Sequence, residues 1–264
     1  MPDFVYPLIG IPLIFIATAL GATFVFFLRG KEISPRLNKI FLGFAAGVMF
    51  SASYFSLIAP ALDSEVSYMP AWVVVGISVV LGAVFLWGID KVVPHFHVAE
   101  NKEEGPKAKG LSKTGKMFLA VTIHNVPEGL SVGIAFGVAL SQPSNHALLV
   151  GALLLAIGIA VQNIPEGAVV SLPLKAETGS SAKAFWFGAL SGAVEPIAAV
   201  VGLFLAMQIQ GIMPWALAFA AGCMIYVVAE EMIPEMKGED HDHLGVWAFI
   251  VGFVVMMALD CLQF

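Results

Sequence analysis

The chain has 264 residues, of which 59% are hydrophobic and only 12% are charged. Soluble domains carry about twice this density of charged residues, so a water-soluble protein is excluded. The formal net charge of −6 also argues against a nucleic-acid-binding protein, because such proteins need a basic surface to neutralise phosphates. The composition therefore predicts an integral membrane protein.

Eight apolar stretches are long enough to cross a hydrocarbon core of about 30 Å, which takes roughly 20 helical residues. They lie near residues 7–28, 40–62, 70–90, 112–141, 146–173, 184–209, 212–235 and 244–264. We predict an all-α membrane protein in which residues 1–264 form a single domain of eight transmembrane helices. A polar stretch near residues 92–112, rich in Lys, Glu and Gly, is expected to form a mobile loop between helices 3 and 4.

The basic residues predict the orientation in the membrane, because cytoplasmic loops collect Lys and Arg. All 13 lie in or beside the connections between helices 1 and 2, 3 and 4, 5 and 6, and 7 and 8. The other connections and both ends of the chain contain none. This asymmetry predicts that both termini lie outside and that the loop at 92–112 is cytoplasmic.

Glycines spaced four residues apart predict close contacts between helices. Gly129, Gly133 and Gly137 form one such series, and Gly188 and Gly192 form another. Because residues four apart share one face of a helix, each series leaves a strip without side chains against which a neighbouring helix can pack. We interpret both series as packing surfaces.

Helices 4 and 5 contain an internal repeat. Residues 124–129 read H-N-V-P-E-G, and residues 162–167 read Q-N-I-P-E-G, 38 positions later. Since adjacent helices joined by a short loop run in opposite directions, the two copies are predicted to be inverted relative to each other. Pro127 and Pro165 have no N–H to donate, so both helices are expected to kink around a cavity.

Three glutamates are predicted to lie at a similar depth near the middle of the membrane. At a rise of about 1.5 Å per residue, Glu128 and Glu166 lie roughly 20 to 30 Å below the outer face. Glu195 of helix 6 lies about 18 Å above the cytoplasmic face. Ionisable side chains at this depth are costly, so each one is a candidate functional residue.

The residues around these glutamates predict a site for a divalent cation. His124 and Glu128 share a helical face, Asn125 lies beside them, and the second copy repeats this order around Glu166. Neighbouring carboxylates repel one another unless a cation lies between them. Imidazole, carboxylate and carboxamide ligands suit Zn²⁺ and similar metals better than Ca²⁺ or Mg²⁺, and the two glutamates could bridge two ions. The alternative is that these groups only join helices by hydrogen bonds.

The two N-x-P-E-G motifs, Glu195 within G-A-V-E-P and the eight helices resemble the ZIP (Zrt/Irt-like) family of zinc and iron transporters, of prokaryotic type. The resemblance spans nearly the whole chain. It implies a transporter in a bacterial inner membrane that moves divalent metal, with zinc favoured, into the cytoplasm through a binuclear site. One metal would be bound by His124, Glu128, Gln162 and Glu166, with Met49 as a further ligand. The other would be bound by Asn125, Glu128, Asn163, Glu166 and Glu195.

One residue departs from the pattern of many family members. Gln162 stands where they have histidine, although some prokaryotic relatives also use glutamine. Glutamine is a weaker and uncharged ligand, so the choice among Zn²⁺, Fe²⁺, Mn²⁺ and Cd²⁺ stays open. Met49 also has an alternative, since methionine in an apolar helix often serves packing alone.

Further residues are predicted along the pathway of the metal. Asp63 and Asp260 lie near the outer ends of helices 2 and 8, where relatives in the family have an acidic pair; exposed helix-end residues are the alternative. Glu230 and Glu231, with Glu231 preferred, lie toward the cytoplasmic end of helix 7 and suit an exit relay. Cytoplasmic histidines could receive the departing metal, or belong to solvated loops. They are His95, His97, His241 and His243.

We predict a transporter and not an enzyme, with no catalytic cofactor and no nucleotide. Residues 110–116 fit G-x-x-x-x-G-K, but Met117 replaces the Ser or Thr of a phosphate loop. Two other classes stay open: an intramembrane zinc-dependent hydrolase, which would lack H-E-x-x-H, and a membrane metal sensor without flux. The expected partners are divalent metal ions and the lipid bilayer. A homodimer, the coupling ion and the choice between channel and elevator carrier also stay open.

Overall fold

The computed structural model describes most of the chain. It covers residues 2–27, 34–64, 66–93, 95–97, 102–104, 113–142, 145–208, 211–237 and 242–262. Of the two short stretches at 95–97 and 102–104, the backbone alone is described.

Within these residues, eight helices are long and apolar enough to cross a membrane. We label them α1 (Val5–Phe27), α2 (Pro35–Leu62), α3 (Ala71–Val92), α4 (Lys113–Ser141), α5 (His146–Thr178), α6 (Ser181–Gln208), α7 (Met213–Lys237) and α8 (Leu244–Cys261). The predicted all-α, eight-helix membrane architecture is therefore confirmed. The loop between α3 and α4 adds two short antiparallel strands, β1 (His95–His97) and β2 (Lys102–Glu104), in which His95 pairs with Glu104.

Two helix ends differ from the predicted ends because of local capping. Helix α2 begins at Pro35, since the Ser34 hydroxyl oxygen accepts the Leu37 N–H at 3.3 Å and proline suits the first helical position. Helix α5 continues past Pro173 and ends where Gly179 adopts a left-handed conformation with φ 64°. Glycine adopts this conformation without steric cost, so it terminates the helix.

Several helices are irregular where they cross the membrane. Helix α6 is interrupted at Gly192 and Ala193, so that its second segment begins at Val194. Helices α2 and α7 contain wider π-helical turns, at Ser53–Ile58 and Val228–Met232. Such turns are often found at functional sites because they reorient side chains. Helices α4 and α5 continue through Pro127 and Pro165, and the kinks expected there stay a prediction.

The helices pack most extensively in four pairs: α1 with α5, α2 with α8, α3 with α7, and α4 with the second segment of α6. Glycines permit this close packing. A Cβ atom on Gly133 would collide with the backbone carbonyl of Ala199, and those on Gly129 and Gly137 would collide with carbonyls of the same segment of α6. A Cβ on Gly188 or Gly192 would also collide with a neighbouring side chain. The interpretation of both glycine series as packing surfaces is confirmed.

Candidate metal centre

A cavity of about 100 Å³ lies between α2, α4, α5 and α7, and we call it the central cavity. Its lining includes seven residues whose side chains can bind a metal ion: Met49, His124, Asn125, Glu128, Glu166, Glu231 and Glu235. The structure thus brings together five of the eight residues predicted for the metal site. The other three, Gln162, Asn163 and Glu195, are fully buried beside it.

The central cavity is partly exposed at one end. Met49 and Glu128 at its deep end are buried, whereas Phe41, Val121 and Glu235 are partly exposed. Phe41 and Val121 lie near the beginnings of α2 and α4, and Glu235 lies near the end of α7. These helix ends are on the side that the distribution of Lys and Arg predicts to be cytoplasmic.

Side-chain amides hold two of the glutamates in place. The Nε2 atom of Gln162 donates a hydrogen bond of 2.6 Å to Oε1 of Glu128. The Nδ2 atom of Asn163 donates one of 2.6 Å to Oε2 of Glu195, and Nδ2 of Asn125 donates one of 3.2 Å to Oε1 of the same residue. Because a carboxylate accepts but does not donate, each amide must turn its NH₂ group toward the glutamate and its oxygen away from it.

Four oxygens of this cluster are left without a hydrogen-bond donor. Among the residues that the structure describes, nothing donates to Oδ1 of Asn125, Oε2 of Glu128, Oε1 of Gln162 or Oδ1 of Asn163, and all four atoms are buried. Buried polar atoms are nearly always paired, so a group of unpaired acceptors in one place needs an explanation. Oxygen acceptors without donors are the ligands that a divalent cation requires.

The family comparison agrees with this geometry. The family described as ZIP zinc transporter matches residues 4–118 and 115–260 of the chain. The human protein named zinc transporter ZIP11 is 36% identical, over 92% of this chain and 93% of its own length. Zinc transporter ZIPB of Bordetella bronchiseptica is 36% identical, over 97% of this chain and 80% of its own length. Zinc transporter GufA of Myxococcus xanthus is 35% identical, over 92% and 93%.

The chain belongs to the ZIP zinc transporter family. Membership covers the motifs of both α4 and α5 and the glutamate of α6, since the matched residues extend across all three helices. The eight membrane-spanning helices of this ZIP protein agree with a multi-pass membrane location.

At the partly exposed end of the central cavity, this ZIP protein has a second group of metal-binding side chains. The Nε2 atom of His124 lies 2.9 Å from Oε1 of Glu231 and 3.9 Å from Oδ1 of Asp90. Ligand atoms of the three residues lie within 4.8 Å of one another, close enough to hold one metal ion. His124 therefore connects the predicted metal site with Glu231, whereas the neighbouring Glu230 is exposed and does not line the cavity.

Asp90 is not among the predicted site residues. It precedes Lys91 near the end of α3, where an acidic residue usually faces water. In the structure its exposed fraction is only 7%, because α3 packs along α7 and presents Asp90 to the end of that helix. One sequence feature could have identified Asp90, namely its position at the end of a long apolar run. An ionisable residue within a membrane helix is a candidate functional residue.

The predicted entrance residues lie at the opposite ends of the helices. The Ser56 hydroxyl donates a hydrogen bond of 2.7 Å to Oδ1 of Asp260, which is buried, whereas Asp63 is exposed at the end of α2. A second cavity of about 70 Å³ begins beside Ser56 and is lined by α2, α4, α5 and α7. The same four helices thus line two cavities, one toward each end of the helices.

An apolar layer separates the two cavities. We call it the barrier, and it contains Ala52, Val132, Ile159 and Met224. Along its own helix, each of these residues lies between positions that line the central cavity and positions that line the second cavity. All four have no exposed surface. Buried apolar residues therefore lie between the two cavities on all four of the lining helices.

The histidines that are predicted to be cytoplasmic are described only in part. His243 is exposed and directly precedes α8. His241 and the side chains of His95 and His97 lie outside the described residues. Their predicted role in receiving metal stays a prediction.

Proposed function

We propose that this protein carries divalent cations, with zinc as the favoured cargo, across a bacterial inner membrane into the cytoplasm. The observation that supports this proposal is the group of four buried oxygens without donors, on Asn125, Glu128, Gln162 and Asn163. An unsatisfied buried polar group costs about 1 to 3 kcal/mol. A bound cation would be coordinated by several of these oxygens at once. It would therefore offset the cost of their missing hydrogen bonds for as long as it stays bound.

Two adjacent ions account best for the arrangement of the acceptors. Carboxylates can bridge two metals, and Glu128 and Glu166 both line the central cavity. The proposed first ion is bound by these two glutamates together with Met49, His124 and Gln162. The proposed second ion is bound by the same two glutamates with Asn125 and Asn163, and Glu195 lies beside them. The first set contains imidazole and thioether, which favour zinc over Mg²⁺ or Ca²⁺.

The names of the relatives support zinc as the cargo, since the human, Bordetella and Myxococcus proteins are all named zinc transporters. Release toward the cytoplasm is supported by the shape of the central cavity. Its partly exposed end lies among helix ends that the excess of Lys and Arg places in the cytoplasm. The barrier blocks the other side, so transport requires a second arrangement in which the barrier opens.

Departing metal would next meet Asp90, His124 and Glu231. His124 already lies against Glu231, so a small rotation of the imidazole would move it between the proposed metal site and this acidic pair. Two carboxylates near the partly exposed end of the cavity also attract a cation electrostatically. We propose that this group of three residues relays metal toward the cytoplasm.

Replacing Glu231 with glutamine should lower zinc uptake about tenfold, because the relay loses a charged ligand while the shape of the side chain is kept. The matched control is Glu230→Gln, since Glu230 lies on the same π-helical turn but is exposed and outside the cavity. Uptake of ⁶⁵Zn²⁺ into proteoliposomes measures both. Equal rates for the two variants would contradict the relay.

Two other functions use similar ligands. An intramembrane hydrolase needs a zinc-bound water and a general base that stay in place, whereas His124 here pairs with Glu231 on the way out of the cavity. A metal sensor would bind zinc without flux. The comparisons favour transport over both, because the relatives are named transporters.

The proposed function is tested by reconstituting the purified protein in liposomes that contain a zinc-sensitive dye. We expect saturable entry of Zn²⁺ that requires the protein, with Cd²⁺, Mn²⁺ and Fe²⁺ added separately as competitors to rank the cargoes. Binding of Zn²⁺ to the detergent-solubilised protein is measured in parallel by calorimetry. Binding without entry would identify a sensor, and neither binding nor entry would contradict the proposal.

A further inference from the structure

A threonine on α1 reaches the metal centre from outside the four helices that line it. Thr18 has no exposed surface, and its hydroxyl lies 3.0 Å from Oε1 of Glu195 and 3.3 Å from the carbonyl oxygen of Ile14. A hydroxyl has one proton to donate, and a bond to a carboxylate is stronger than one to a helix carbonyl. Thr18 therefore donates to Glu195.

With Thr18, both oxygens of Glu195 are occupied by protein donors. Oε1 accepts from Thr18 and Asn125, and Oε2 accepts from Asn163. Glu195 thus orients both asparagine amides together with two backbone carbonyls, since Asn125 also donates to Ser191 and Asn163 to Ile14. The oxygens of both amides are directed away from the glutamate and have no described donor. In this arrangement Glu195 holds the amide ligands of two other helices in position.

Glu195 lies beside the interruption of α6. Glu195 lies in the first turn of the second segment of α6, just after the interruption at Gly192 and Ala193. A Cβ atom on Gly192 would lie 2.7 Å from Cβ of Thr18, so the threonine packs directly against this interruption. Thr18 therefore contacts both the carboxylate and the backbone that carries it.

We infer that Thr18 is a positioning residue for cation binding, which holds Glu195 so that the amide oxygens of Asn125 and Asn163 face the cargo. This inference rests on the proposed transport function and adds α1 to the elements that form the binding site. It also gives Glu195 the role of an anchor for two amide ligands, in addition to the ligand role that the family resemblance implies.

The test is Thr18→Val, which keeps the shape of the side chain and removes the hydroxyl. We expect the Zn²⁺ concentration for half-maximal uptake to rise about tenfold, the effect of losing a hydrogen bond to a charged group. The maximal rate should change less than about twofold, because the loaded carrier is otherwise intact. Thr18→Ser, which keeps the hydroxyl, should restore the half-maximal concentration. Thr23→Val on the same helix is the matched control, since the Thr23 hydroxyl donates only to the Leu20 carbonyl among the described residues.

Thermal unfolding of each variant without metal distinguishes a loss of ligand positioning from a loss of folding stability. A positioning role predicts similar unfolding temperatures for Thr18→Val and the wild type. If the valine variant does not fold, Thr18→Ala, which adds no atoms, takes its place. The inference would be overturned if Thr18→Val had the same half-maximal Zn²⁺ concentration as the wild type. It would also be overturned if Thr18→Ser were as impaired as Thr18→Val. Absence of zinc uptake by the wild type would instead contradict the proposed function.

Discussion

Replacing Glu166 with alanine is expected to abolish metal uptake while leaving the protein folded. Glu166 belongs to both proposed ligand sets, so the change removes one negative charge and two oxygens from the centre of the cavity. Loss of residues that only support metal ligands already lowers affinity about 10-fold to 100-fold. Loss of a bridging ligand should therefore lower zinc uptake by at least about 100-fold.

The fold should tolerate this change for two reasons. Glu166 is partly exposed to the cavity, so alanine leaves water and not an empty apolar space in its place. Alanine also has the highest intrinsic helix propensity, so α5 is not weakened. Gel filtration and thermal unfolding in detergent would verify that the variant is intact before uptake is measured.

The matched control for this substitution lies on the same helix. Glu177→Ala makes the identical change at an exposed position near the end of α5, away from the central cavity. We expect wild-type uptake from it. Wild-type uptake by Glu166→Ala in the same vesicles would rule out a site that depends on Glu166, and with it the binuclear proposal.

Replacing Gly133 with alanine is expected to destabilise the protein by about 2 to 3 kcal/mol, because the added methyl group meets backbone that cannot move away. The Cβ of an alanine here would collide with the carbonyl group of Ala199 on α6. Separation of α4 from α6 would also move Glu195 away from the asparagine of α4. Zinc uptake should therefore fall together with stability.

Gly76→Ala provides the control for helix propensity. A Cβ atom on Gly76 would have no described atom within 4 Å beyond its chain neighbours and the backbone of its own helical turns. The change should leave stability unchanged or raise it by up to about 1 kcal/mol, since alanine favours a helix over glycine. The apparent unfolding temperature of each variant in detergent is the measurement. A Gly133→Ala protein as stable as the wild type would show that the contact between α4 and α6 is not tight.

The arrangement of the two cavities has a consequence for how metal would move. Helices α2, α4, α5 and α7 line both cavities, and the barrier lies between them. Alternating access therefore requires some of these helices to shift against the others, so that barrier residues separate. Helices α1 and α6 contact the metal centre through Thr18 and Glu195, and would be expected to move together with α4 and α5.

Some features of the protein were predictable because they depend on local sequence. Hydrophobic runs of sufficient length specify membrane helices, since backbone polar groups in a bilayer must be paired within the segment. The spacing of His124 and Glu128 specifies one helical face. The repetition of the motif in α5 indicated which second helix faces the first, and five of the predicted residues indeed line one cavity.

Other features depend on contacts between distant parts of the chain. Asp90 reaches His124, and Thr18 reaches Glu195, because of the rotation of α3 and α1 about their own axes. The sequence of a nearly uniformly apolar helix does not define that rotation, since no polar face distinguishes one side from another. The end of α5 also required structure, because Pro173 predicts termination and the left-handed Gly179 provides it.

The amino-acid sequence alone determined the membrane class, the eight helices and the acidic, amide-rich motifs, since composition and helical spacing are properties of short stretches of chain. Tertiary structure alone decided which oxygens are left without donors, which helix ends the partly exposed end of the cavity lies between, and which residues of α1 and α3 join the site. These depend on how helices approach and rotate against one another. That geometry is set by glycine contacts and side-chain packing across the whole molecule, which no single segment encodes.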